Sequence, residues 1–77
     1  MKYAVVIESA PGANYSADIP DVDGCVATGD TVEETLANMR EALAGHLAVT
    51  AEYGEVVPQP TSQVAYVDVP VPAPAGD

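Results

Sequence analysis

The stretch Pro20-Asp-Val-Asp-Gly-Cys-Val-Ala-Thr-Gly-Asp-Thr-Val-Glu-Glu-Thr-Leu-Ala-Asn-Met-Arg-Glu-Ala42 holds a turn, a short strand, a helix cap and half of an amphipathic helix. Pro20 ends whatever strand precedes it, and Asp21 to Gly24 reads as a tight turn, with Gly24 supplying the backbone freedom. Cys25 to Thr28 follows as a strand, and Gly29 marks the corner into the helix. Thr31 is the predicted N-cap, with Glu34 three residues later completing a capping box. Glu33 and Glu34 also lie where the helix dipole favours negative charge. Val32, Leu36, Met39, Leu43, Leu47 and Thr50 recur at helical spacing and predict one stripe facing a sheet. Gly54 stops the helix after Tyr53.

Working outward, Lys2 to Glu8 reads as a strand with Tyr3, Val5 and Ile7 on one face and Ala4 and Val6 on the other. Apolar residues on both faces predict a central strand covered on both sides. Ala10 to Asn14 is a turn cluster. Asn14 to Ile19 then alternates, with Tyr15, Ala17 and Ile19 inward. These three strands with short connections make an antiparallel meander. Beyond the helix, Val56 to Pro60 is an extended, proline-marked connection, and Ser62 to Val69 reads as a fourth strand. A right-handed crossover would return it beside the first. The expected fold is α+β, βββαβ with strand order 3-2-1-4, over residues 1–69. Residues 70–77, rich in Pro and Ala, are expected to form a flexible tail.

The chain has 77 residues and a net charge of −10, with Lys2 and Arg40 its cations. That balance argues against direct nucleic-acid binding, which requires cations to displace phosphate counterions. It suits a basic partner, or else simply solvates an exposed surface. Thirteen Ala, twelve Val and no Phe or Trp predict a small-residue core. In so short a chain that core predicts completion by a partner or by a homo-oligomer, a dimer or tetramer. Cys25 is alone, which fits a reducing, cytoplasmic compartment. Glu8 cuts the N-terminal apolar run short of an export signal, and no stretch is long enough to span a membrane.

Catalytic chemistry is sparse. Asp18, Asp21, Asp23 and Asp30 invite a calcium reading. A helix–loop–helix site counted from Asp21 needs a bidentate Glu at its twelfth position, where Val32 stands, so capping, turn-making and solvation explain these aspartates better. Glu8 and Asp68 alone are available from the outer strands for a two-metal arrangement. His46, the single histidine, lies at the border of the apolar stripe without a neighbour that makes a catalytic pair. Cys25 reads as a small apolar residue. No enzyme activity, cofactor or metal is expected. Ala37, Ala42, Ala44, Gly45, Ala48 and Val49 leave the outer helix surface poor in charge, either as a second packing surface or because alanine is the best helix former.

The same stretch resembles the signature of the HicB-like antitoxin family. In that pattern a strand ends in Pro-Asp-apolar-x-Gly-Cys, a second strand follows, and Gly-Asp-Thr-x-x-Glu opens the helix. Pro20, Asp21, Gly24, Cys25, Gly29, Asp30, Thr31, Glu34, Asn38, Glu41 and Ala42 match, and Val22 keeps the apolar character. Asp23 stands where proline is common, and Thr35 where alanine is common. The resemblance covers roughly residues 2–53. It implies a fold like a truncated ribonuclease H, and an antitoxin that occludes a small basic ribonuclease toxin of the HicA type. Asp21, Asp23, Glu33 and Glu34, read as lying near one end of the domain, are the expected toxin contacts. Many members also carry a C-terminal DNA-binding module. After Val69 this sequence has only the Pro/Ala tail, so autorepression is not expected. The alternative is a stand-alone oligomeric binding or scaffold domain of the same fold, without a toxin.

Overall fold

The computed structural model describes residues 1–9 and 11–73. Three strands, β1 (Val6–Ser9), β2 (Tyr15–Ile19) and β3 (Val22–Gly29), form an antiparallel sheet in the order β1-β2-β3, and one helix, α1 (Val32–Glu52), follows. The α+β meander-then-helix order is the one expected.

The β2–β3 connection is tighter than the sequence suggested. Ile19 pairs directly with Val22, so Pro20 and Asp21 alone make the turn. Asp18 pairs with Val26, so Asp23, Gly24 and Cys25 are accommodated as a bulge inside β3. Gly24, at φ +77°, permits that bulge and not the turn itself. β3 therefore begins three residues before Cys25.

The core lies between one face of the sheet and α1. Ala17, Ile19, Val22, Cys25 and Met39 are its buried apolar members, with Tyr3, Val5, Ile7, Ala27 and Leu43 packed around them. The helical stripe is turned slightly from the expected one. Thr35 is fully buried, whereas Val32 and Leu36 remain 40% and 42% exposed, so the first turn meets the sheet through Thr35. Met39, Leu43 and Leu47 continue the stripe, the last two half-buried. The charge-poor outer helix positions, Ala37, Ala42, Ala44, Gly45, Ala48 and Val49, are all exposed.

Both ends of α1 are built locally. Thr31 is extended (φ −132°, ψ 165°), and its hydroxyl accepts from the Glu34 amide at 3.0 Å. Thr35 strengthens that turn, its amide and hydroxyl both donating to the Thr31 carbonyl at 2.9 and 2.7 Å. At the far end Gly54 has φ +73° and donates to Ala51, while Glu55 donates to Thr50, the paired bonds of a Schellman stop. Gly29 has a different reason to be glycine. It is buried, and a Cβ there would lie 2.7 Å from the Thr35 amide nitrogen. Close approach of β3 to the helix start, and not backbone freedom, fixes that residue.

Two expectations are corrected. β1 is an edge strand and not a central one, and Val6 on its outer face is 40% exposed. The anticipated fourth strand is outside the sheet: residues 62–69 are extended and exposed, and join no ladder among the described residues. Order 3-2-1 is present and position 4 is empty. Two prolines, Pro58 and Pro60, and the anchoring of residues 58–62 carry the chain past the end of the sheet. Of the tail, residues 70–73 are exposed, and residues 74–77 lie outside the described ones.

Candidate functional site

Asp21, placed by the sequence among the toxin contacts, has an occupied carboxylate. The Thr61 and Ser62 amides both donate to its Oδ2 at 2.9 Å. Their hydroxyls donate to Oδ1, at 3.0 Å from Thr61 and 2.7 Å from Ser62. The Ser62 amide and hydroxyl, followed by the Thr61 pair, lower the Asp21 pKa to about 2 from the ordinary 3.8. Tyr3 holds the same stretch from the other side, its hydroxyl donating to the Pro58 carbonyl at 2.6 Å. Carried on past Val6 and Asp18, the β1–β2 register brings Tyr3 to the sheet end that carries the Pro20–Asp21 turn. The two side chains therefore pin the post-helix segment across one end of the sheet. Neither contact has a local sequence signal, because the partners are 40 and 55 residues away.

The other acidic residues do not form one cluster. Asp23 lies just after the turn, where Val22 pairs with Ile19. Glu33 and Glu34 open the helix beyond Gly29, which pairs with Tyr15 at the opposite end of β2. Four residue steps of strand, roughly 13 Å, separate the two ends. Asp23, Glu33 and Glu34 are all exposed. The acids thus make two separate negative ends, and the single cluster read from the sequence is not formed.

The sheet face turned away from α1 was not singled out in the sequence. Val6, Asp18 and Val26 align across it, as do Glu8, Ser16 and Thr28. All six are exposed, with Val26 at 63%. A shallow hollow lined by Glu8, Ser9, Ala13, Asn14 and Ser16 lies at its hairpin end. Alternation along β2 was the available signal, since it puts Ser16 and Asp18 outward.

Of the remaining motif residues, Asn38 ties the helix to the sheet, its amide donating to the Thr28 carbonyl at 2.8 Å. Cys25 is buried with its sulfur 3.7 Å from that of Met39, and burial pushes its thiol pKa up, away from the reactive thiolate. His46 is exposed on the helix. Among the described residues no three His, Cys, Asp or Glu side chains converge as metal ligands, and no helix is long and apolar enough to cross a membrane.

The conserved-looking parts of this geometry, turn, bulge, corner and cap, coincide with a known pattern. A family model described as the HicB-like antitoxin of the bacterial toxin-antitoxin system matches residues 3–71. The chain belongs to the HicB-like antitoxin family. The crystal structure of the Burkholderia pseudomallei antitoxin HicB is similar to it, with a TM-score of 0.74 and 30% identity. That similarity covers 82% of this chain and 48% of the Burkholderia one. An uncharacterized 14.9 kDa protein of Haemophilus phage HP1 is 33% identical over 91% of this chain and 52% of its own length. A UPF0150 protein of Thermoplasma acidophilum is 29% identical over 82% of this chain and 91% of its own length. The chain thus spans about half of the phage protein and of the Burkholderia antitoxin, but nearly all of the archaeal one. For this HicB-like chain, the family match includes Tyr3, Asp21 and the Thr61–Ser62 pair, so the pinned segment lies within the matched region.

Proposed function

We propose that this HicB-like chain is an antitoxin that binds a small basic ribonuclease toxin of the HicA type and occludes it without catalysis. The observation that carries the reading is the family match over residues 3–71, supported by the likeness to the Burkholderia antitoxin. A net charge of −10 gives the chain the field to attract a cationic RNA-binding surface. Asp23, Glu33 and Glu34 are the proposed contact acids. Asp21 serves instead to hold the segment that follows the helix. The working form is a homo-oligomer in the cytoplasm, and residues 62–69 act as the family's fourth strand, completing the ribonuclease H-like sheet in that assembly.

A second reading is favoured by one observation. The archaeal relative is matched over nearly its whole length, so this compact unit also occurs as a short protein. In that reading the chain is a stand-alone oligomeric binding domain.

The test is association with the product of a short basic reading frame beside this gene. Stoichiometric inhibition of its ribonuclease activity, with association slowing steeply as salt rises, is the expected result. A neighbouring ribonuclease that is neither bound nor inhibited would remove the antitoxin reading.

A further inference from the structure

Residues 63–71 leave the body of the protein entirely. The Cα radius of gyration is 16.6 Å, whereas a compact chain of this length has about 11–12 Å. The long axis measures 60 Å, about twice the ~31 Å of a 21-residue helix. The projecting arm carries Val64, Tyr66, Val67, Val69 and Val71, exposed by 59%, 93%, 82%, 68% and 86%. Alternating β-branched and aromatic residues of this kind favour a paired strand. Pro70 and Pro72 limit any pairing to the residues before them.

The sheet has a matching vacancy. β1 is an edge, apolar on both faces, and nothing among the described residues pairs with its outer side. Such an edge is a template for a further strand. Tyr3 to Ser9 and Gln63 to Val69 are both seven residues long. The arm's exit point, Ser62, is fixed by Asp21 at the end of the sheet where β1 begins.

We propose that residues 63–69 add as a strand to the open β1 edge of a second copy of this chain, in a reciprocal two-fold exchange. Charge selects that occupant. Nine of the twelve acids lie between residues 10 and 55, against Arg40 alone, so most of the surface repels another copy. Residues 1–9 are neutral, with Lys2 and Glu8, and residues 56–73 carry only Asp68. The arm and the edge are therefore the two places where like chains meet with little repulsion, while a basic partner would be drawn to the acidic ends. Exchange of one element between identical chains also closes both edges symmetrically. It gives each sheet the order 3-2-1-4 with the fourth strand from the other copy. The proposal deepens the homo-oligomer reading and does not depend on the toxin.

Size exclusion with light scattering on the full chain is expected to give twice the 7.9 kDa chain mass. Val67→Pro removes a strand amide from an arm that lies outside the core, so it spares the body and is expected to weaken the dimer at least tenfold. In a mixture of isotope-labelled and unlabelled chains, filtered NOEs are expected between Tyr66 or Val67 of one copy and Val5 to Ile7 of the other. A dimer unchanged by Val67→Pro, or arm-to-arm NOEs only, overturns the exchange and leaves the homo-oligomer reading standing. A mass of 7.9 kDa up to millimolar concentration overturns both.

Discussion

The side chain of Asp21 accepts from both the amide and the hydroxyl of Ser62, at 2.9 and 2.7 Å, across 41 residues of sequence. With the two Thr61 bonds, this contact converts a turn residue into the anchor of everything that follows the helix. The anchoring depends on ionisation. The folded-state pKa is lowered to about 2 from 3.8, so the contribution is fully present above about pH 4 and is lost as pH falls toward 2. NMR titration of the Thr61 and Ser62 amides is expected to give a midpoint near 2. A midpoint near 4 would mean that the contact does not form in solution. Asp21→Asn is expected to release residues 59–63 to rapid hydrogen exchange at neutral pH while the strand amides stay protected.

Gly29→Ala is expected to destabilise the fold by about 1–3 kcal/mol through overpacking, because the new Cβ meets the Thr35 backbone at 2.7 Å. Adding Thr35→Ala removes only the hydroxyl contact, so recovery is expected to be partial. Chemical denaturation at fixed protein concentration measures both, since oligomer linkage otherwise moves the midpoint. Full recovery in the double variant would place the conflict in the side chain alone.

The helix ends offer a paired test. Thr31→Ala removes the acceptor for the Glu34 amide and is expected to cost roughly 0.5–2 kcal/mol. Gly54→Ala forces a side chain into the left-handed region, at a cost of about 1–2 kcal/mol. Open space around Gly54 makes that effect purely conformational. Thermal unfolding is the readout, and a neutral Gly54→Ala would show that the helix stop is dispensable.

If a basic toxin is the partner, the separation of the acids predicts an asymmetric response to charge reversal. Glu33→Lys with Glu34→Lys acts at one end of the sheet, and Asp23→Lys at the other. One of these changes is expected to slow association much more than the other in stopped-flow kinetics at low salt. Equal slowing by both would leave only the general field of the molecule.

Duplex DNA is expected not to bind this chain at physiological salt, because ten net negative charges oppose phosphate. A salt-dependent, sequence-specific gel shift would contradict this.

Short-range features were legible in the sequence: the β2 alternation, the Thr31 cap, the Gly54 stop and the family of the chain. Each is decided within a few residues. The Pro20–Asp21 turn was misjudged because a glycine three residues on is an equally good turn former, and only pairing of Ile19 with Val22 distinguishes a turn from a bulge. Thr35 was passed over as a polar residue, although its hydroxyl is satisfied by its own helix and its methyl can be buried. The grip of Asp21 on Ser62 and the spacing of the acids depend on how distant segments meet, which no local pattern encodes. For the same reason β1 looked central: its two apolar faces describe a neighbour that the single chain does not supply.

The contact between Cys25 and Met39 sets a chemical vulnerability at the centre of the fold. Met39 is 1% exposed and, with Thr35, is one of the two largest side chains fully shielded from solvent. It is also, with the thiol beside it, the most oxidisable group in the core. Conversion of its thioether to a sulfoxide would place a polar, chiral oxygen where the helix meets the sheet. While the fold is closed, burial protects both sulfurs. Any oxidant that reaches Met39 has therefore met an opened molecule, and the modification would prevent clean reclosure. Oxidative stress would then act as a ratchet, removing chains in proportion to how often they open.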